Sequence, residues 1–233
     1  MIKYLFFDCD DTLLDFHKAE ARALRRTLEQ MDVVPTDQVV QRYSAINQSV
    51  WELLERGEIT RPELLIRRFR ILYEELGVDR SPEETQAYYE EFLSQGHFFM
   101  EGAQELLETL YGKYKLYLVS NGTAKVQAGR LKSAGIAPYF EEIFISETIG
   151  VKKPERAFFD HCFSRIPDFD PSEAMIVGDS LSSDMQGGNN AGILTCWMNP
   201  QRKPLRQGIH VDYEIRALSE IPKILEEIME NGE

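Results

Sequence analysis

Three cysteines in 233 residues, with no close spacing between them, leave no basis for a disulfide scaffold and suit a reducing compartment. Cys9, Cys162 and Cys196 all lie in apolar or mixed surroundings and read as buried core residues. The four histidines, His17, His97, His161 and His210, are scattered, and no C-x-x-C or H-x-x-x-H pair occurs, so the usual zinc patterns are absent. No apolar run is long enough to span a bilayer. Met1-Ile2-Lys3 leads straight into an apolar run that breaks at Asp8, so no secretory leader is expected. Internal repeats and low-complexity tracts are also missing. Positive charge is scarce: 26 Lys and Arg stand against 39 Asp and Glu, a net charge of −13. Such a surface repels nucleic-acid backbones and anionic membranes, so neither is expected as a partner, and a cytoplasmic location is expected. The one short basic stretch, Arg67-Arg68-Phe69-Arg70, reads as a solvated helix face.

The chain does hold an ordinary globular composition, 43% hydrophobic and 28% charged, long enough for a full core and a smaller second domain. Strands are expected near 3–8, 114–120, 142–146, 174–179 and 193–197, several as continuous apolar runs suited to a sheet buried on both faces. Helical patterns fall between them at 102–111, 123–134, 154–165, 184–191 and 218–231. This alternation predicts an α/β domain built on a doubly wound parallel sheet, whose ligands bind at the carboxyl ends of strands. Residues 16–96 break the alternation and read as four successive helices, Ala19–Met31, Thr36–Arg56, Arg61–Leu76 and Ser81–Gln95. The expected organisation is therefore a core of 1–15 and 97–233 with a helical bundle inserted at 16–96.

Chemistry concentrates at the predicted strand ends. Leu5-Phe6-Phe7-Asp8-Cys9-Asp10-Asp11-Thr12 closes an apolar strand with carboxylates at i and i+2, which share one face if the strand continues through Asp10. Paired carboxylates there offer a nucleophile, an acid/base and a seat for a hard cation; an acidic turn is the plain alternative. Val119-Ser120-Asn121-Gly122 ends a second strand with a small hydroxyl residue. Lys152-Lys153-Pro154 sets a lysine before a proline placed for the first turn of a helix. Val177-Gly178-Asp179 through Asp184 ends another strand with one acid and adds a second.

These four segments, D-x-D-x-T, S-N-G, K-P and G-D-x-x-x-x-D in that order, resemble the motifs of the haloacid dehalogenase-like (HAD) phosphohydrolases. The resemblance implies a Rossmann-like core with a mobile helical cap, the inserted 16–96 segment, hinged near 15–17 and 96–100. It implies Asp8 as the nucleophile that forms an aspartyl-phosphate and Asp10 as the general acid/base. Lys153 would neutralise Asp8 and the transferring phosphoryl group, and Lys152 would be an exposed neighbour. Ser120 and the backbone N–H groups of Asn121 and Gly122 would cradle phosphoryl oxygens, and Thr12 would hydrogen-bond around the acid/base loop. Mg²⁺ would be held by Asp8, the Asp10 carbonyl and Asp179, with Asp184 supporting its coordination. The plain alternatives are a strand-end acid for Asp179 and a helix cap for Asp184.

A halide leaves without a proton, so the acid at Asp10 argues against a dehalogenase and for a phosphate-ester substrate. The cap stretch Arg42–Trp51 and Gly57-Glu58-Ile59-Thr60 further resembles house-cleaning nucleoside 5′-monophosphatases, as do Ile145-Ser146-Glu147 and Thr195–Asn199. Tyr43, Asn47 and Trp51 lie at helical spacing: Tyr43 and Trp51 read as packed cap core, with Trp51 or Phe16 the alternative as a nucleobase contact, and Asn47, hard to place in an apolar core, reads as a polar contact to substrate. The core motifs serve a sugar-phosphate phosphatase or a phosphomutase equally well, and a non-catalytic binding protein on this fold is the third reading.

Overall fold

The computed structural model describes residues 1–231. Its first strand is the shortest route from sequence to architecture: β1 (Tyr4–Phe7) is four apolar residues, all buried. An element with no polar face needs cover on both sides, which is why it sits mid-sheet. A helical series follows: α1 (Phe16–Gln30), α2 (Asp37–Glu55), α3 (Arg61–Leu76) and α4 (Pro82–Leu93). The alternating part then runs α5 (Ala103–Leu110), β2 (Lys115–Ser120), α6 (Ala124–Ala134), β3 (Glu142–Ile145), α7 (Ser146–Ile149), α8 (Arg156–Ser164), β4 (Ala174–Gly178), α9 (Gln186–Ala191), β5 (Leu194–Met198), β6 (Tyr213–Ile215) and α10 (Ile221–Asn231). The six strands form one parallel sheet in the order β3-β2-β1-β4-β5-β6. This is the α/β doubly wound sheet expected. The strand order reverses between β1 and β4, and the crevice at such a reversal is where open parallel sheets bind ligands. Asp8 and Asp179 follow those two strands directly.

The described chain divides into two units: Met1–Asp15, Phe98–Gln127 and the residues from Ala134 onward form one, and Phe16–His97 with Ala128–Ser133 form the other. One face of the sheet unit is an aromatic core. Phe6 stacks on Tyr117 at 5.1 Å, and Phe163 stacks on Phe169 at 4.1 Å. Phe158, Phe159 and Cys162 of α8 are buried in the same cluster. Cys9, Cys162 and Cys196 are all buried free thiols.

The helical unit is set by its caps. Thr36, Thr60 and Ser81 accept the N–H of Val39, Glu63 and Glu84, and Pro62 and Pro82 occupy first-turn positions where a missing N–H is harmless. Inside, Tyr43, Phe69 and Tyr89 pack ring on ring with centroids 5.1–5.6 Å apart. Trp51 is only half-buried, with the Arg61 guanidinium 5.5 Å from its ring. The basic stretch departs from its reading as a solvated face: Arg68 and Phe69 are buried. Arg68 donates to Asn47 Oδ1 at 2.9 Å and to Gln86 Oε1 at 2.6 Å, and its guanidinium lies 4.8 Å from the Tyr89 ring. Its partners are polar residues spaced along α2 and α4, which no local pattern reveals. The α6 residues within this unit are tied down too. Arg130 donates to the Gly96 carbonyl at 3.1 Å, and Ser133 Oγ meets His97 Nδ1 at 2.6 Å. Among the described residues, no helix is long and apolar enough to cross a membrane.

Candidate active site

The sheet delivers the first acid by stopping. The N–H of Asp8 donates to Val177 O at 2.9 Å, and then the strand geometry ends. The Cys9 carbonyl accepts from Leu13 and Leu14, and Asp11 takes φ 57°, a left-handed conformation that Asp tolerates. Asp10 therefore does not share a pleat face with Asp8 by strand alternation. It lies in the turn, bridged to Leu14, with Oδ2 accepting from Gln127 Nε2 at 2.8 Å.

Lys153 is the electrostatic centre. Its ammonium has three donors, and all three are used: Asp8 Oδ1 at 2.6 Å, Asp184 Oδ1 at 2.7 Å and Val119 O at 2.9 Å. Burial opposes its charge, but Asp184 and Asp8 more than offset this and hold the lysine protonated, its pKa raised. Its backbone is fixed as firmly as its head. Asn121 donates Nδ2 to the Lys153 carbonyl and accepts the Lys153 N–H on Oδ1, each at 2.9 Å. The side chain of Asn121 thus clamps the lysine loop onto the end of β2. Pro154 differs from the sequence expectation: it follows a cis bond and precedes α8, whose cap residue is Glu155. Lys152 is half-buried rather than exposed.

The second pair of acids comes from the end of β4. Asp179 sits just past the strand, and Trp197 Nε1 donates to its carbonyl at 2.8 Å. Asp184 lies in a π-helical turn, Leu181–Met185, ahead of α9; such turns are frequent at functional sites. Ser180, not Asp184, is its cap residue. Asp184 Oδ2 accepts the Ser180 N–H at 3.1 Å. A Cβ on Gly178 would come within 2.3 Å of that Oδ2, so only glycine lets the carboxylate lie against the strand end. Carboxylate oxygens of Asp8, Asp179 and Asp184 lie within 4.8 Å of one another.

The Lys153 ammonium bonds two of these three acids, Asp8 and Asp184. Burial pushes the Asp8 carboxyl up to about 8, against the pull of Lys153 and with Asp184 and Asp10 adding to the rise. Burial, then Asp8 and Asp184, push Asp179 well above the carboxylate range. The arrangement is short of positive charge, and its all-oxygen donor set suits a hard divalent cation such as Mg²⁺.

Ser120 Oγ accepts from Gly122 N at 3.0 Å and Gln127 Nε2 at 2.8 Å, which directs its own proton elsewhere. The Gly122 N–H, expected to face a phosphoryl oxygen, is instead taken up by Ser120. Thr12, expected to hydrogen-bond around the loop, is buried with no partner for its hydroxyl. Asn47, expected at the substrate, is 3% exposed inside the helical unit. Its Nδ2 donates to Glu20 Oε1 at 2.7 Å and its Oδ1 accepts from Arg68, so its amide serves the interior in this arrangement. Gly178 stands in the G-D-x-x-x-x-D motif without an assigned role, and Gln127 lies outside every motif; a lone glutamine in a helical run carries no local signal.

Comparison with known proteins bears on this geometry. A family model for haloacid dehalogenase-like hydrolases matches residues 2–192. The chain is 42% identical over 221 residues to the HAD-hydrolase YfnB of Bacillus subtilis, covering 95% of this chain and 94% of YfnB. It is 35% identical to the pyrimidine 5′-nucleotidase PynA of Streptococcus pneumoniae, over 94% of this chain and 93% of that one. It is 32% identical to the pyrimidine 5′-nucleotidase YjjG of Escherichia coli, over 95% and 97%. A crystal structure of YfnB bound to magnesium, which reveals interdomain movement, matches with a TM-score of 0.93 at 41% identity, covering 96% of this chain and 98% of that one.

Proposed function

Because this chain belongs to the haloacid dehalogenase-like hydrolases, we propose that it is a Mg²⁺-dependent phosphomonoesterase that cleaves nucleoside 5′-monophosphates through an aspartyl-phosphate on Asp8. The observation that carries this reading is the buried Asp8–Lys153–Asp184 bridge with Asp179 beside it. Asp8, Asp179 and the Asp10 carbonyl would hold the cation, with Asp184 in support. When bound, it would neutralise the repulsion between Asp8 and a phosphate dianion.

The chain's own residues divide the reaction by which atoms are already engaged. Asp8 gives Oδ1 to Lys153, so Oδ2 is the oxygen that attacks phosphorus. The bond from phosphorus to the ester oxygen breaks, and the Asp10 carboxyl gives that oxygen its proton. The Asp10 carboxylate then takes a proton from water. That water attacks phosphorus, releasing inorganic phosphate and restoring Asp8. Ser120, its two acceptor positions filled, donates its hydroxyl proton to a phosphoryl oxygen. Lys153 balances the charge gathering on the transferring group.

PynA and YjjG are both named as pyrimidine 5′-nucleotidases, and their likeness supports a pyrimidine nucleoside 5′-monophosphate as the substrate here. The magnesium-bound YfnB structure supports Mg²⁺, and its interdomain movement supports reorientation of the two units in this chain. The test is phosphate release from a panel of esters with Mg²⁺. Pyrimidine nucleoside 5′-monophosphates are expected to show the highest kcat/KM, above hexose phosphates and above di- and triphosphates. Hexose phosphates turning over faster would overturn the nucleotidase assignment.

A further inference from the structure

We propose that the loop after β5, with Lys203 at its centre and Arg202 and Arg206 beside it, is a cationic guide that draws phosphate-ester dianions to the end of the sheet that holds Asp179. The inference deepens the phosphomonoesterase reading and rests on it. The chain carries a net charge of −13, and that field repels a phosphate dianion. Lys153 does little to oppose it at a distance, because its ammonium is buried between Asp8 and Asp184. Residues 199–208 carry the opposite sign: Asn199-Pro200-Gln201-Arg202-Lys203-Pro204-Leu205-Arg206-Gln207-Gly208 holds three cations and no acid. Residues 201–208 are all exposed. Among the described residues, none of the three cationic heads has a carboxylate within ion-pairing distance.

The fold fixes where this charge stands. β4 and β5 pair with Gly178 opposite Trp197, and Trp197 Nε1 donates to the Asp179 carbonyl at 2.8 Å. Asn199 directly follows β5, as Asp179 directly follows β4, so the two leave the sheet at neighbouring strand ends. Asn199 is 2% exposed. Its Oδ1 accepts the Lys203 N–H at 2.8 Å, and its Nδ2 donates to the Lys203 carbonyl at 3.0 Å and to Glu214 Oε1 at 2.7 Å. The Arg202 N–H closes the turn on the Asn199 carbonyl at 3.2 Å. Lys153 is held by the same device: Asn121 directly follows β2 and grips both backbone groups of that lysine. In each case a strand-end asparagine fixes a lysine backbone at the carboxyl end of the sheet. Lys203 also stands near enough to act on Asp179. Burial, then Asp8, Asp184 and Asp11, raise that carboxyl, and Lys203 opposes them.

The experiment varies ionic strength. The triple variant Arg202→Gln/Lys203→Gln/Arg206→Gln removes the charge and keeps the backbone contacts of the turn. With Mg²⁺ and a pyrimidine nucleoside 5′-monophosphate at about 10 mM ionic strength, it should lose about tenfold in kcat/KM, carried by KM, with kcat within about twofold of wild type. At about 1 M the screening length falls from about 30 Å to about 3 Å, and kcat/KM should then match wild type within about twofold. p-Nitrophenyl phosphate should show the same two ratios, since the guide acts on the phosphate and not on the base. Lys203→Arg should keep the wild-type value, and Lys203→Glu should lose more than Lys203→Gln; these single variants carry the same salt test if the triple variant does not fold. A loss equal at both ionic strengths, a loss carried by kcat, a loss confined to the nucleotide, or Lys203→Arg as impaired as Lys203→Gln would overturn the proposal. Full activity in Asp8→Asn would instead defeat the aspartyl-phosphate reading, and the salt test would still decide the guide.

Discussion

Asp8 and Asp10 stand two residues apart, and the backbone between them leaves the sheet, so their surroundings differ completely. Asp8 is held by a buried ammonium and Asp10 by a neutral amide. On the proposed mechanism, that difference would suit one to attack and the other to carry a proton. Asp8→Asn should remove turnover while leaving the fold intact, since an amide does not attack phosphorus; circular dichroism with a phosphate-release assay checks both halves. The motif residues were legible because a strand-end acid, an S-N-G turn and a K-P pair each stand out locally. Their wiring was not. The role of the Asn121 side chain as a clamp on Lys153 spans 32 positions, and Gln127 reaches Asp10 across 117. No window of sequence contains both partners.

Elements place these residues through small features. Gly178 at the end of β4 is such a feature, because any side chain there displaces Asp184 from the strand end. Gly178→Ala should therefore break the Lys153–Asp184 contact and destabilise the fold by about 1–3 kcal/mol, the usual scale of overpacking. Unfolding in denaturant and kcat on the same variant check this together; an unchanged midpoint with normal kcat would contradict it. In the helical unit, Glu20 of α1 accepts from Ser44 at 2.6 Å and from Asn47. Burial raises its carboxyl above the ordinary value of 4.5, with the Ser44 hydrogen bond opposing. A carboxyl raised in the folded state favours the fold when protonated, and that advantage is lost as pH rises through the raised value. Glu20→Gln should then melt higher than wild type at neutral pH, with the gap narrowing toward pH 5. A lower melting temperature at neutral pH, or a gap indifferent to pH, would contradict it. The long strands and capped helices were readable from apolar runs and from Thr36, Thr60 and Ser81. The edge strand β6 was not: three residues, Tyr213-Glu214-Ile215, carry too little pattern, and Arg68 looked like surface because charge alone says nothing of burial.

At the scale of the whole molecule, an acidic chain of net charge −13 gathers three of its acids around Lys153, a local excess that a divalent cation would relieve. Mg²⁺ at a hundredfold excess over its Kd should raise the melting temperature by about 5–10 °C, from the mass-action gain on binding the folded state. Asp179→Asn should abolish the shift, and chelation should remove activity that Mg²⁺ restores and Ca²⁺ restores poorly. The reorientation proposed from the likeness to YfnB would give faster hydrogen exchange at the connections near 15–16 and 97–98 without a phosphate analogue than with one. The α/β core was legible at this scale because helix–strand alternation is itself a long-range pattern. The grouping of Ala128–Ser133 with the helical unit was not, because it cuts across a continuous helix. The account stands on phosphoryl transfer to Asp8, and the intact mass of enzyme acid-quenched during turnover of a nucleoside 5′-monophosphate with Mg²⁺ tests that transfer directly. The wild-type chain should gain the mass of one phosphoryl group, localised by peptide mapping to Asp8 and absent from Asp8→Asn. Steady turnover with no phosphorylated chain under any quench, or a phosphoryl group mapped to another residue, would contradict it.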